Sequence, residues 1–328
     1  MAQRPSRSSS RSSTRFAASR QIAGPQRPPA GLPSTTRNGK WSMAETLLKP
    51  LKAGLIGADI QASLTPAMHM QEGAAQGLDY AYELIDLTRL NASPADLSGL
   101  IEDAEARGLA GLNITHPCKQ LVIPLLDDLS PEARALGAVN TVVLKGGRRF
   151  GHNTDWWGFA ESFRRGLPQA DLSAAVQLGA GGAGAATAYA ILTLGLERLT
   201  VFDREHERAV DLAEAMSALF PGAAIAAGRD LAVAMQGASG LIHATPTGMA
   251  KYPGVPLPPE FLESRHWIAE IVYFPLETEL LRQARTRGCR TLDGGGMAVF
   301  QAVGAFRLIT GREPDASRML MHFKTMTT

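Results

Sequence analysis

Short apolar runs alternate with longer amphipathic segments along most of the chain. In the first half, the apolar runs predict strands, and segments with helical spacing of apolar residues predict helices. Thr65-Pro66, an N-cap followed by a first-turn proline, and Ser93-Pro94 mark two helix starts. The predicted strands are 52–57, 80–85, 109–114 and 140–144, and the predicted helices are 67–76, 93–108 and 131–136.

The alternation continues through the second half of the chain. Lys145-Gly-Gly147 predicts a hairpin that pairs 140–144 with 149–150, and a helix starting at Asp155 follows. The later predicted strands are 176–178, 199–202, 241–244, 267–272 and 290–292, and the helices are 185–194, 208–219, 277–287, 297–310 and 314–323. This order predicts an α/β fold with mostly parallel sheets.

The turn after the strand 176–178 is rich in glycine and reads Gly179-Ala-Gly-Gly-Ala-Gly184. A G-x-G-x-x-G turn between strand and helix, followed about 20 residues later by an acid, is the dinucleotide-binding fingerprint. Gly179 permits the tight turn, Gly181 lets backbone N–H groups approach a pyrophosphate, and Gly184 lets the helix pack on the strand. The predicted pyrophosphate site consists of Gly179, Ala180, Gly181, Gly182 and Ala183.

The acid that completes the fingerprint is Asp203, at the end of the next apolar run. A carboxylate here accepts hydrogen bonds from a ribose 2′-OH and repels a 2′-phosphate, which favours NAD. Arg204 and Arg208 follow, and an arginine beside the ribose can instead hold the phosphate of NADP. The alternative for both arginines is a solvated first helical turn. NAD is therefore the predicted cofactor, with NADP left open.

The chain has 328 residues, of which 45% are hydrophobic and 20% charged, and this length allows two domains with cores of their own. No apolar run approaches the roughly 18 residues of a membrane span. The two cysteines, Cys118 and Cys289, give neither a disulfide framework nor zinc-ligand spacing. A reducing compartment is favoured, and a zinc-dependent alcohol dehydrogenase is disfavoured.

Charge is unevenly distributed along the chain. The first 44 residues contain eight basic residues and no acidic one, whereas the remainder has 25 basic and 31 acidic residues. The overall charge of +2 is therefore no argument for nucleic-acid binding. The Arg/Ser-rich segment 1–48 cannot bury a core, and we expect a disordered tail. We expect a cytoplasmic protein in which this segment is a solvated extension or sequence upstream of a start at Met43. The alternative is that the segment is an organelle transit peptide.

Three polar clusters precede the fingerprint and are candidates for the substrate chemistry. Ser63 and Thr65 place two hydroxyls at a strand-to-helix turn, where they can grip a carboxylate or simply cap the helix. Lys119 follows the strand 109–114; it is a general base if its neighbours lower its pKa, and otherwise a surface lysine. Asp155, in Asn153-Thr-Asp155, is a helix cap or the ionised partner of Lys119.

These clusters resemble, in order and spacing, the motifs of the shikimate dehydrogenase family over roughly 51–323. The matching motifs are Ser63-Leu-Thr65-Pro66, Asn113-Ile-Thr115-His-Pro117-Cys-Lys119, Gly137-Ala-Val-Asn140-Thr141, Asn153-Thr-Asp155, the Gly179 turn, Tyr273, and Asp293-Gly-Gly-Gly-Met297 with Gln301. Within the family the chain is most similar to NAD-preferring quinate/shikimate dehydrogenases. Thr65, the segment 113–117 and Asp203 carry that finer resemblance.

The resemblance implies a role for each matching residue. Lys119 and Asp155 would be the catalytic pair in reversible hydride transfer between a ring hydroxyl of quinate or shikimate and the nicotinamide. The implied substrate-binding residues are Ser63, Thr65 and Tyr273 for the ring carboxylate, and Thr115, Asn140 and Gln301 for the other ring hydroxyls. The implied cofactor-binding residues beyond the 179–183 turn are Asp203, Arg204, Thr245, Ile271 and Gly294.

The resemblance also implies how the domains are arranged. Because Gln301 lies on a helix after the nucleotide domain, that helix should fold back onto the first domain. We expect a mixed-sheet α/β substrate domain at 49–153 plus 297–328, a Rossmann-type domain at 154–296, and the active site in the cleft between them. We expect a monomer or homodimer whose partner is a small molecule, with no metal, membrane or nucleic acid.

Three alternative functions remain open, and the chain departs from the family pattern at two positions. The alternatives are an NADP-dependent biosynthetic shikimate dehydrogenase, a non-catalytic nucleotide-sensing protein, and another two-domain enzyme such as a folate dehydrogenase. The presence of both Lys119 and Asp155 argues against the sensor. His243-Ala-Thr-Pro246 departs from the Asn-Ala-Thr/Met that is frequent in the family, and Gly295 replaces a larger residue.

Overall fold

The computed structural model describes residues 50–327, which form two six-stranded sheets. The first sheet has the strand order β2-β1-β3-β5-β6-β4 and is mixed, because β5 pairs antiparallel with β3 and β6. Its strands are β1 Leu51–Gly57, β2 Tyr80–Asp86, β3 Leu109–Ile114, β4 Asp128–Leu129, β5 Thr141–Lys145 and β6 Arg148–His152. The helices in this half are α1 Thr65–Ala75, α2 Leu87–Leu90, α3 Leu97–Ala106, α4 Pro131–Leu136 and α5 Asp155–Gly166.

The second sheet is parallel throughout and has the order β12-β11-β10-β7-β8-β9. Its strands are β7 Ala175–Leu178, β8 Arg198–Phe202, β9 Ala224–Ala227, β10 Gly240–His243, β11 Trp267–Glu270 and β12 Arg290–Leu292. The remaining helices are α6 Gly182–Thr193, α7 His206–Leu219, α8 Leu231–Gln236, α9 Glu279–Thr286, α10 Gly295–Thr310 and α11 Ala316–Thr327. This is the 3-2-1-4-5-6 order of a Rossmann sheet, whose strand order reverses between β7 and β10.

Both sheets therefore have a point where the strand order reverses, and ligands bind at such points in α/β folds. In the first sheet the reversal lies between β1 and β3, so the loops that follow Gly57 and Ile114 start side by side. In the second sheet the loops after Leu178 and His243 do the same. The sequence motifs follow these four strand ends.

The C-terminal helices pack against the first half of the chain, as the position of Gln301 predicted. Helix α10 crosses α5 so closely that a Cβ on Gly158 would lie 2.7 Å from the Gln301 nitrogen. Met68 of α1 shares a buried cluster with Val303 of α10 and Phe323 of α11. The fold thus brings a late helix back to the elements that carry the first polar clusters.

A buried ion pair ties α11 to α1. The Glu72 side chain is 0% exposed and accepts hydrogen bonds at 2.7 Å from the Arg318 Nε and Nη2 atoms. The Asp315 N–H and the Gln76 amide also donate to Glu72. Burial alone would raise the pKa of the Glu72 carboxyl, but these hydrogen bonds outweigh it and lower the pKa below its ordinary value.

Most predicted elements are confirmed, and the differences have local causes. Thr65 is the first helical residue rather than the N-cap, which is Leu64, so the capping prediction for Thr65 was wrong. The first sheet is mixed, as expected for the substrate domain, and the second is parallel. The strands β4 and β9 and the helices α2 and α8 were not predicted. Among residues 50–327, no helix is both long and apolar enough to cross a membrane.

Candidate active site

Lys119 and Asp155 form an ion pair in the structure. Lys119 lies in the loop after β3, and Asp155 is the first residue of α5. The Lys119 Nζ donates to the Asp155 Oδ2 at 2.6 Å, and the two side chains are 28% and 11% exposed. An amine held this close to a carboxylate, with part of its surface open to solvent, can exchange a proton with a bound molecule. Sequence reasoning paired these residues across 36 positions.

The second oxygen of Asp155 is fixed by Asn140. The Asn140 Nδ2 donates to the Asp155 Oδ1 and to the Thr154 Oγ1, both at 2.9 Å. Its Oδ1 accepts from the Thr154 N–H at 2.7 Å and from the Thr141 hydroxyl at 3.0 Å. Asn140 is buried, and both of its amide hydrogens are engaged within the protein. In this structure it orients Asp155, and its contact with a substrate hydroxyl stays a prediction.

Three hydroxyl residues follow the ends of β1 and β3. Thr115 packs its methyl group against Gly57, where an added Cβ would lie 2.3 Å from the Thr115 Cγ2. The Ser63 hydroxyl accepts from the Thr65 N–H at 3.3 Å at the start of α1. Thr65 is the first residue of α1 and does not cap the helix. The fold therefore places Ser63, Thr65 and Thr115 around the strand reversal of the first sheet.

Gln301 and Tyr273 reach this region from later in the chain. The Thr154 hydroxyl, beside Asp155, donates to the Gln301 carbonyl at 3.0 Å. The Gln301 amide donates to the Ala298 carbonyl at 3.0 Å. Tyr273 lies in the loop after β11, and its ring centroid is 6.4 Å from that of Phe323, in the cluster that Leu64 also contacts. The structure thus connects both predicted late residues to the elements around Lys119 and α1.

The glycine turn has the geometry that a pyrophosphate needs. Gly179 has φ +105°, and a Cβ there would lie 2.5 Å from the Ala244 carbonyl oxygen, so a side chain is excluded. A Cβ on Gly184 would lie 2.2 Å from the Gly179 oxygen, which explains the close helix–strand packing. At Gly181 and Gly182 a Cβ would meet no atom within 4 Å. The amino end of α6 is therefore open, and the turn fits a dinucleotide pyrophosphate.

Asp203 connects this turn to the next loop. Its carboxylate accepts from the Ala180 N–H at 2.8 Å and from the Glu205 N–H at 3.0 Å. Arg204 is exposed beside it, and Arg208 forms an exposed ion pair with Glu205 at 3.0 Å. The carboxylate is thus fixed just after β8, where a ribose hydroxyl is expected, and the exposed Arg204 is the next residue.

The three residues predicted beside the nicotinamide lie at neighbouring strand ends. Thr245 follows β10, and its methyl carbon would be 3.1 Å from a Cβ on Gly179. The Ile271 N–H donates to the His243 carbonyl at 3.2 Å. A Cβ on Gly294 would lie 2.3 Å from the Ile271 oxygen. These contacts bring Thr245, Ile271 and Gly294 to the same end of the sheet as the glycine turn.

Sequence reasoning missed the contacts of two sets of buried polar residues, although it noted His243 as a departure from the family pattern. The Gln177 amide donates to the Gly179 and Gly184 carbonyls at 2.9 and 2.8 Å and holds both ends of the glycine turn. His243 and Glu270 form a fully buried pair at the ends of β10 and β11. Each of these polar residues lies in an otherwise apolar strand, and that position was the available signal. Among residues 50–327, no group of three or more His, Cys, Asp or Glu is arranged to hold a metal ion.

Comparison with known proteins connects this geometry to a family. The family model described as the shikimate dehydrogenase substrate binding domain matches residues 55–142. A shikimate dehydrogenase (NADP(+)) from Streptomyces avermitilis is 61% identical over 269 residues, covering 81% of this chain and 92% of the relative. The chain belongs to the shikimate dehydrogenase family.

Other members of the shikimate dehydrogenase family differ in their named cofactor. A quinate/shikimate dehydrogenase (NAD(+)) from Corynebacterium efficiens is 48% identical over 276 residues, covering 83% of this chain and 97% of the relative. The solved structure of quinate dehydrogenase from Corynebacterium glutamicum in complex with NAD is similar with a TM-score of 0.78. It is 46% identical, and the match covers 84% of this chain and 99% of that one. Family membership and the two-sheet α/β fold confirm the resemblance inferred from the motifs.

Proposed function

We propose that this protein is a quinate/shikimate dehydrogenase that transfers hydride reversibly between a ring hydroxyl of quinate or shikimate and NAD. The products of oxidation would be 3-dehydroquinate or 3-dehydroshikimate. The observation that carries the proposal is the ion pair of Lys119 with Asp155, 2.6 Å apart. Asp155 begins α5, and α5 packs against α6, the helix of the glycine turn. The ring contact between Trp156 and Tyr189, with centroids 5.4 Å apart, joins those two helices.

The pair supplies the proton chemistry that hydride transfer requires. When the ring hydroxyl is oxidised, its proton must leave as the carbonyl forms, and the Lys119 amine takes it. In reduction the Lys119 ammonium returns the proton to the same oxygen. Asp155, fixed by Asn140, holds the Lys119 Nζ in place for this transfer.

The remaining predicted residues bind and orient the substrate and cofactor. Ser63, Thr65 and Tyr273 would hold the ring carboxylate, and Thr115, Asn140 and Gln301 the other hydroxyls. A bound nicotinamide would accept or return the hydride, and the 179–183 turn would hold its pyrophosphate. We assign residues 49–153 plus 297–328 to a substrate domain and 154–296 to a dinucleotide-binding domain.

Asp203 is the reason for preferring NAD. Its carboxylate is fixed at the end of β8 by the Ala180 N–H, and a phosphate on the ribose would be repelled by it. NADP is the second candidate, because the exposed Arg204 is adjacent and the relative at 61% identity is named for NADP.

A two-by-two rate assay, quinate and shikimate each with NAD and NADP, tests the proposal. We expect turnover with NAD and a lower kcat/KM with NADP for both substrates. A large preference for NADP combined with shikimate would establish the biosynthetic alternative. Absence of turnover in all four reactions would contradict the dehydrogenase assignment.

Asp203→Asn is expected to raise the ratio of kcat/KM for NADP to that for NAD about tenfold, the equivalent of about 1.4 kcal/mol. The substitution removes the negative charge while the amide oxygen can still accept from the Ala180 N–H. Asp211→Asn, on the exposed surface of α7, is the matched control and should leave the ratio unchanged. An unaltered ratio in Asp203→Asn would mean that Asp203 does not contact the ribose.

A further inference from the structure

A buried polar network lies at the carboxyl ends of β10 and β11. His243 and Glu270 are the last residues of these strands and lie opposite each other in the strand register. Both side chains are 0% exposed, and the His243 Nδ1 lies 2.9 Å from each Glu270 oxygen. Complete burial of two ionisable groups costs free energy, so a contribution to stability does not by itself explain the pair. Its position at the strand reversal of the Rossmann sheet suggests a role at the cofactor site.

The second nitrogen of His243 fixes the side chain of Thr245. The Nδ1–H donates to Glu270, which leaves Nε2 to bond the Thr245 Oγ1 at 2.5 Å. The same oxygen accepts from the Thr247 N–H at 3.3 Å. Because threonine is branched at Cβ, fixing the hydroxyl also fixes the methyl group. That methyl lies against Gly179, the first glycine of the fingerprint.

Glu270 fixes the backbone of the neighbouring loop. Its Oε1 accepts from the Val272 N–H at 2.9 Å, and its Oε2 accepts from the Thr278 hydroxyl at 3.1 Å. Thr278 is the N-cap of α9. The Ile271 N–H donates to the His243 carbonyl, so the loop is held from both sides. Every polar atom of the Glu270 and His243 side chains therefore has a partner.

We propose that His243 and Glu270 are positioning residues that hold Thr245 and the backbone at 271–272 in place for the nicotinamide end of the cofactor, an inference that rests on the proposed function. The network links three loop starts at one edge of the sheet: the glycine turn, the loop after β10 and the loop after β11. Preorganised groups at such an edge lower the cost of orienting the reacting ring.

The bond to Thr245 depends on histidine at position 243. The amide nitrogen of an asparagine reaches the place of the imidazole Nδ1 and can bond Glu270, but its side chain is too short to reach the place of Nε2. His243→Asn therefore keeps the buried carboxylate partnered and removes only the contact with Thr245. Thr245→Val removes the same contact from the other side, together with the weaker contact to the Thr247 N–H, and preserves the branched shape.

A double-mutant cycle with these two substitutions tests the proposal. We expect each single variant to lower kcat/KM about tenfold, measured with the cofactor that the wild type prefers. A reacting group that is oriented less firmly reacts more slowly. The double variant should be no worse than Thr245→Val alone, because His243→Asn removes a contact that Thr245→Val already lacks. The KM for quinate or shikimate should stay within about twofold, since its predicted ligands lie mainly around the first sheet.

His266→Asn is the matched control, because His266 is also buried but lies just before the opposite, amino end of β11. It should leave the kinetics unchanged. Wild-type kcat/KM in the single variants would overturn the proposed positioning role. Effects that multiply to about a hundredfold in the double variant would also overturn it. The Kd for NADH or NADPH, measured by fluorescence, gives the same cycle without turnover. An inactive wild type would thus contradict the proposed function, but the Kd values would still test the positioning role of His243 and Glu270. If His243→Asn does not fold, Thr245→Val provides the test.

Discussion

Replacing Lys119 with methionine is expected to lower kcat by about 10³-fold, within the range that loss of a general acid–base group produces. Methionine keeps the length of the side chain and removes the amine that lies 2.6 Å from Asp155. Substrate should still bind, because the predicted carboxylate and hydroxyl ligands are other residues. The KM for quinate or shikimate should therefore change by less than about threefold, so that the loss lies in the chemical step.

The control for this experiment is Lys145→Met, at the exposed end of β5 just before the hairpin turn. It removes the same charge from the protein without touching the pair and should retain wild-type kcat. Retention of kcat in Lys119→Met would remove Lys119 from the proton transfer. A rise in KM with unchanged kcat would instead make Lys119 a binding residue.

Much of the fold could be predicted because the sequence carries local signals for it. The glycine turn is set by contacts within a few residues and across one strand, and Gly179 and Gly184 have the roles that the fingerprint predicts. The strand β9, an Ala-Ile-Ala-Ala run at the sheet edge, has no alternation of apolar and polar residues and was missed. The two-residue strand β4 is too short to show a pattern.

The pairing of Lys119 with Asp155 was inferred from motif order, but the hydrogen bond by which Asn140 orients Asp155 was not. Asn140 bonds Asp155 only because β5 and the start of α5 meet in three dimensions, and no local pattern encodes that meeting. The same holds for Glu270, which meets His243 through the register of two parallel strands. The expected cap at Thr65 failed because capping depends on a difference of one residue in where the helix starts.

The Glu72–Arg318 pair joins α1 to α11, and its loss should destabilise the fold. We expect Arg318→Met to lower the free energy of unfolding by more than the loss of an exposed ion pair does, because it leaves the buried Glu72 carboxylate without its cation. The Arg318 side chain is 34% exposed, so water that reaches part of the vacated space offsets some of this loss. Equilibrium denaturation in urea at neutral pH measures it.

Arg134→Met is the matched control, because its ion pair with Asp128 is 65% and 53% exposed and should contribute less than about 1 kcal/mol. The pH dependence distinguishes an ionic role from packing. Since the folded protein lowers the pKa of Glu72, its contribution is present above the ordinary pKa of the carboxyl and is lost as pH falls through the lowered value. The difference between wild type and Arg318→Met should therefore shrink in acid. A difference that stays constant with pH would mean that Arg318 stabilises α11 by packing alone.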